Sequence, residues 1–185
     1  MIEEKLLEAI DKMDKAVGRV QSQFSTVRTG RAAPALVEKL TADYYGSQVP
    51  LQQLCSITVQ DARQLIVRPH DRGSLAAVEK AIRDSDLGVN PSNDGTAIRL
   101  SFPPLTEERR KEFVKVVKHM AEDGRVAVRN VRRDIRKQLE ASEKAGEISS
   151  DEVDRAEKEL EKITHEHVES IDAALGRKEA ELLEV

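Results

Sequence analysis

Apolar residues recur along this chain in two different rhythms. From residue 2 to 28, Leu6, Ile10, Met13, Val17, Val20, Phe24 and Val27 alternate spacings of four and three, the heptad-like seam of a long helix that other helices must bury. A second seam, Phe113, Val117, Met120, Val128, Val131 and Ile135, occupies one face of a helix starting at Thr106. The Thr106 hydroxyl can cap that helix, and Glu107 and Glu108 suit the positive end of its dipole. Pro103 and Pro104 keep it from starting much earlier. It should reach about Lys144 and end on Gly146 in the left-handed C′ position. Ser149-Ser150-Asp151-Glu152 then reads as a capping box, with Ile148 and Val153 as its hydrophobic staple. A third helix follows, with Val153, Ala156, Leu160, Ile163, Ile171, Leu175 and Leu182 on its seam. Three seams predict one three-helix bundle, elongated because a helix of about 38 residues is about 57 Å long at 1.5 Å per residue.

Between the first and second helices the rhythm changes to period two: Ile57 and Val59, Leu65 and Val67, then Ile98, Leu100 and Phe102. One amphipathic helix is predicted from Leu75 through Val78 and Ile82 to Leu87, closing on Gly88, and residues 90–95 form a dense turn cluster. All six prolines lie between Pro34 and Pro104, which marks a separate region. The expected fold class is α+β: a long three-helix bundle from residues 1–29 plus 106–185, with a small β/α/β domain inserted at 30–105. Two crossings join the parts, Arg28-Thr29-Gly30-Arg31 and Pro103-Pro104-Leu105-Thr106. Thr29, Gly30, Pro103, Pro104, Leu105 and Thr106 are therefore the candidate hinge residues.

Charge sharpens this outline. The net charge of −4 says little; its distribution says more. Arg125, Arg129, Arg132 and Arg136 fall in one stripe on the second long helix, with Arg133 at its edge, separate from the apolar seam. The stripe extends upstream through Lys111, Lys115 and Lys118, and along the sequence only Glu122 stands near it. A solvated helix face ordinarily mixes signs at i,i+4. Guanidinium groups in a row suit phosphate oxygens, so RNA or another polyanion is the leading partner. With no Trp, three Phe and two Tyr, a base-stacking platform has little to build on, and contact should be electrostatic.

Catalytic chemistry finds less support. His165 and His167 point about 200° apart on a helix and cannot share a metal. Cys55 and His70 lack an orienting motif, and a buried cysteine is the simpler reading. The glycines at 30, 46, 73, 88 and 95 are too dispersed for a phosphate loop. Asp84, Asp86, Asp94 and Glu79 suit caps and solubility. No enzyme activity, cofactor or metal is expected. The single cysteine excludes an internal disulfide, and the charged start Ile2-Glu3-Glu4-Lys5-Leu6 is unlike a signal peptide. A soluble, cytoplasmic monomer with no membrane partner is the expectation.

Several blocks carry a resemblance across the whole chain. They are residues 28–32 (Arg-Thr-Gly-Arg-Ala), 43–46 (Asp-Tyr-Tyr-Gly), 78–82 (Val-Glu-Lys-Ala-Ile), 85–91 (Ser-Asp-Leu-Gly-Val-Asn-Pro), 103–110 (Pro-Pro-Leu-Thr-Glu-Glu-Arg-Arg), 126–133 (Val-Ala-Val-Arg-Asn-Val-Arg-Arg) and 178–182 (Lys-Glu-Ala-Glu-Leu). In these the sequence resembles the bacterial ribosome recycling factor family. The resemblance implies an L-shaped protein of two domains with near-tRNA dimensions and a flexible elbow. It also implies binding to the post-termination ribosome and action with elongation factor G and GTP to split the subunits and release mRNA and tRNA. Carried over, Arg110, Arg129, Arg132 and Arg133 look like contacts to large-subunit ribosomal RNA, with Arg28 and Arg31 as weaker candidates. Arg125 and Arg136 join them from the charge pattern. A helical RNA-binding arm without recycling activity, and an enzyme built on the small domain, are the competing readings; the inserted domain argues against the first and the missing pocket against the second.

Overall fold

A computed structural model of the protein describes residues 1–184. The chain forms two compact units, one from residues 1–24 and 111–185, the other from residues 25–110.

The first unit is helical. Its helices are α1 (Ile2–Ser25), α5 (Glu107–Lys144) and α6 (Ser150–Leu183); the first turn of α5 clusters with the other unit. Helix α1 stops three residues short of the predicted end, so Val27, although buried, lies beyond it. Its seam is otherwise as expected, with Met13, Val17, Val20 and Phe24 buried and Leu6 and Ile10 partly so. The Thr106 hydroxyl accepts from Arg109 N at 3.2 Å. At the other end Gly146 takes φ 73°, and its N–H and that of Glu147 reach back to the carbonyls of Glu143 and Ser142, satisfying the last turn of α5. The Ser149–Glu152 capping box opens α6. On α5 the fully buried positions are Val117, Ala121, Gly124, Val128, Ile135 and Leu139. Phe113, Met120 and Val131 are half-buried flanks. The middle of the seam is thus made of small residues. A Cβ on Gly124 would stand 2.3 Å from Val20 Cγ2 of α1 and 3.3 Å from Ile171 Cδ1 of α6, so both neighbouring helices approach closely there.

The second unit contains α2 (Ala35–Glu38), β1 (Thr41–Tyr44), β2 (Ser47–Pro50), α3 (Leu51–Leu54), β3 (Cys55–Asp61), β4 (Gln64–Pro69), α4 (Leu75–Arg83), β5 (Ser92–Asn93) and β6 (Ile98–Ser101). Strands β3-β4-β6-β5 form an antiparallel sheet, and β1 and β2 a separate hairpin. Leu65, Val67, Ile98, Leu100 and Phe102 are fully buried and meet Val78 and Ile82 of α4 in one core. The alternating residues therefore point inward as predicted, except Val59, which is exposed near a bulge on the edge strand. Helix α4 also ends four residues earlier than predicted. The Ser85 hydroxyl donates to the Ile82 carbonyl at 2.6 Å, competing with the helical bond that would continue it. Gly88 does adopt a left-handed conformation, φ 66°, but within the following loop. The hairpin was not legible, since its strands show no apolar alternation: only Ala42 is fully buried. Its turn is made by Tyr45 and Gly46, at φ 50° and 86°, with Gly46 N donating to Asp43 Oδ1 at 2.9 Å.

Candidate nucleic-acid interface

The arginine stripe stands on α5, away from the buried seam, and has acidic company. Arg125 donates to Asp172 Oδ1 of α6 at 2.7 Å and to Glu122 at 2.9 Å. Arg129 reaches the other Glu122 oxygen at 3.2 Å. Arg132 contacts both Glu161 oxygens, at 3.3 and 3.2 Å. Arg136 lies 3.2 Å from Glu140 and 3.0 Å from Glu157. The expectation of a stripe nearly free of acids is thus corrected: on α5 alone only Glu122 and Glu140 approach it, but α6 lays Asp172, Glu161 and Glu157 alongside. Linear sequence separates these groups by up to 47 residues, and only helix pairing brings them together.

The arginines are not equivalent. The Arg125 side chain is only 19% exposed. Burial works against its charge, but the hydrogen bonds it donates to Asp172 and Glu122 outweigh this and hold its pKa above the ordinary guanidinium value. Arg129, Arg132 and Arg136 are 46%, 38% and 59% exposed, so water shares their ion pairs. Arg133 is exposed and Arg110 partly so, and neither has a side-chain hydrogen bond or ion pair among the described residues. Of the upstream lysines, Lys118 stands 3.8 Å from Glu179.

Glu122 is held below its ordinary value of 4.5, first by the Arg125 hydrogen bond and then by Arg129. A carboxylate depressed in the folded state contributes stability that is present above its unfolded pKa and lost as pH falls through the lower folded value. The Tm of the wild type should therefore fall below about pH 4.5 more steeply than that of Glu122→Gln, the two curves converging in acid. Melting curves followed by circular dichroism across this range check it; parallel curves would remove Glu122 from the acid response.

Arg28 is turned inward within its own unit. It donates to the Pro103 carbonyl at 2.8 Å and the Leu87 carbonyl at 3.4 Å, and its guanidinium carbon lies 5.8 Å from the Phe102 ring centroid. Burial first, and then the neighbouring Arg109 charge, lower its pKa. Arg31 is exposed. Among the hinge candidates, Gly30 has φ 85°, and a Cβ there would stand 3.5 Å from Leu105 N, so these two segments touch, both inside the unit of residues 25–110. Gly30 lies five residues beyond the end of α1 and does not terminate that helix. Thr29 is half-buried, Pro103 and Pro104 are exposed, Leu105 is buried, and Thr106 caps α5.

No group of three or more His, Cys, Asp or Glu could hold a metal among the described residues. His165 stands 3.1 Å from Glu169, and His167 bridges to Asp14 of α1 at 2.8 Å. Cys55 is buried in the small core, and desolvation pushes its thiol up to about 11, which disfavours the thiolate a nucleophile needs. Among the described residues no helix is long and apolar enough to cross a membrane.

Fold and site together define a class: an α+β protein of two units with a row of arginines, most of them paired to carboxylates, along one long helix. Comparison gives the family. The family model described as ribosome recycling factor matches residues 20–183. Proteins named ribosome-recycling factor from Acidothermus cellulolyticus and Saccharopolyspora erythraea are each 55% identical over 185 residues, covering all of both chains. A solution structure of the ribosome recycling factor is 40% identical with a TM-score of 0.80, covering 100% of this chain and 98% of that one. A second structure, of the T. thermophilus ribosome recycling factor with E. coli elongation factor G bound to the E. coli post-termination complex, is 45% identical with a TM-score of 0.70, covering all of both chains. The chain belongs to the ribosome recycling factor family, and ribosome recycling in protein biosynthesis is its role.

Proposed function

We propose that this protein binds the post-termination ribosome through its α5 edge and, with elongation factor G and GTP hydrolysis, drives the subunits apart and frees mRNA and tRNA. The observation that carries the reading is the line of Arg129, Arg132 and Arg133 on the bundle, in a chain whose T. thermophilus relative, like E. coli elongation factor G, is described as bound to the E. coli post-termination complex. Arg110, Arg129, Arg132 and Arg133 are assigned to phosphates of large-subunit ribosomal RNA. The protein acts mechanically as a monomer, without cofactor or catalytic turnover, and GTP hydrolysis belongs to its partner. The crossings around Gly30 and residues 103–106 bend during the push while each unit keeps its own core.

Splitting of post-termination ribosomes, followed by light scattering with and without elongation factor G and GTP, tests the activity. Dissociation is expected only when all components are present. Arg132→Ala and Arg129→Ala should each weaken binding to purified large subunits and reduce the salt slope by about one, with unchanged helical circular dichroism. Wild-type affinity for both variants across a salt titration would discard the RNA assignment.

A further inference from the structure

The carboxylates beside the stripe give it a second property. A carboxylate and a phosphate present the same anionic oxygens to a guanidinium, so an arginine engaged by one is less available to the other. Arg132 places one terminal nitrogen against both oxygens of Glu161, and Glu161 is 65% exposed. Both side chains are open to water, so the pair contributes little to stability. Arg125 differs, being largely buried and joined to Asp172, where it ties α5 to α6.

We propose that Glu161 is an intramolecular competitor for the polyanion at Arg132, setting the affinity of the stripe and easing its release. The proposal rests on the reading of the stripe as a ribosomal RNA contact. An arginine leaving a phosphate recovers its glutamate instead of facing water alone, so release is opposed by less. Arg136 is held differently, its Nε shared between Glu140 at 3.2 Å and Glu157 at 3.0 Å. A factor that must leave the ribosome after each round gains from a contact that is specific in position and moderate in strength.

The test compares Glu161→Gln with Glu159→Gln in the full-length protein. Both remove one negative charge from α6, but Glu159 makes no ion pair among the described residues and lies about 200° around the helix from Glu161. With purified large subunits as the probe, Glu161→Gln should bind about two- to fivefold more tightly, the range an exposed ion pair can withhold. The gain should appear as slower dissociation. Glu159→Gln should change affinity by a smaller factor, and Glu161→Gln should lose its advantage when combined with Arg132→Ala. Equal effects of the two glutamine variants, with Arg132→Ala still weakening binding, would overturn the competitor and leave the RNA reading intact. Wild-type binding by Arg132→Ala would overturn both.

Discussion

Gly124→Val should unfold or severely destabilise the bundle, and Gly124→Ala should weaken it measurably. Alanine normally strengthens a helix interior by about 1 kcal/mol relative to glycine. Here the added Cβ would meet Val20 Cγ2 at 2.3 Å and Ile171 Cδ1 at 3.3 Å. Val20 is β-branched and stiff at χ1 within a helix, so relief requires moving α1. Overpacking of this kind costs about 1–3 kcal/mol for a methyl-sized addition, and a valine adds more. The surface glycines supply the internal control, since a Cβ at Gly18 or Gly176 meets nothing within 4 Å. Gly176→Ala should therefore raise stability by up to about 1 kcal/mol, while the same change at Gly124 lowers it. Urea unfolding at 222 nm separates the cases, and Val20→Ala should partly rescue Gly124→Ala. A Gly124→Ala protein as stable as Gly176→Ala would show that the close approach is slack.

Phe102→Ala should melt the small unit and leave the bundle folded. Phe102 is fully buried in a core confined to that unit, its N–H donates to the Arg63 carbonyl at 2.7 Å, and Arg28 lies over its ring. Loss of such a ring costs about 3–5 kcal/mol, a large part of the 5–15 kcal/mol available to a typical domain. The bundle has its own seam of buried residues. Most helical ellipticity at 222 nm should therefore persist while hydrogen-exchange protection is lost across β3, β4 and β6. Under the proposed function, large-subunit binding should survive and splitting should fail. Simultaneous loss of both units in one transition would contradict independent cores.

The bundle was legible because its information is local and redundant. Heptad spacing repeats over many turns, and caps such as Ser149 with Glu152 and Gly146 use chemistry available within a few residues. The strands of the small sheet were legible wherever alternate residues enter the core, as with Leu65 and Val67. The β1–β2 hairpin was not, because two four-residue strands with one fully buried side chain leave no periodic trace. The early end of α4 was missed for a related reason: Ser85 decides it by a single hydrogen bond, which competes with a pattern that still looks helical.

The arginine stripe divides the same way. Its position depends only on helical geometry, so spacing along α5 determined by itself that Arg125, Arg129, Arg132 and Arg136 share one line. Its electrostatic character depends on which helix lies alongside. Only tertiary structure placed Asp172, Glu161 and Glu157 against those arginines, turned Arg28 toward the carbonyls of Leu87 and Pro103, and made Gly124 the point where three helices meet. Local periodicity is written in neighbouring residues, whereas charge pairing and close approach arise between residues that meet only after packing.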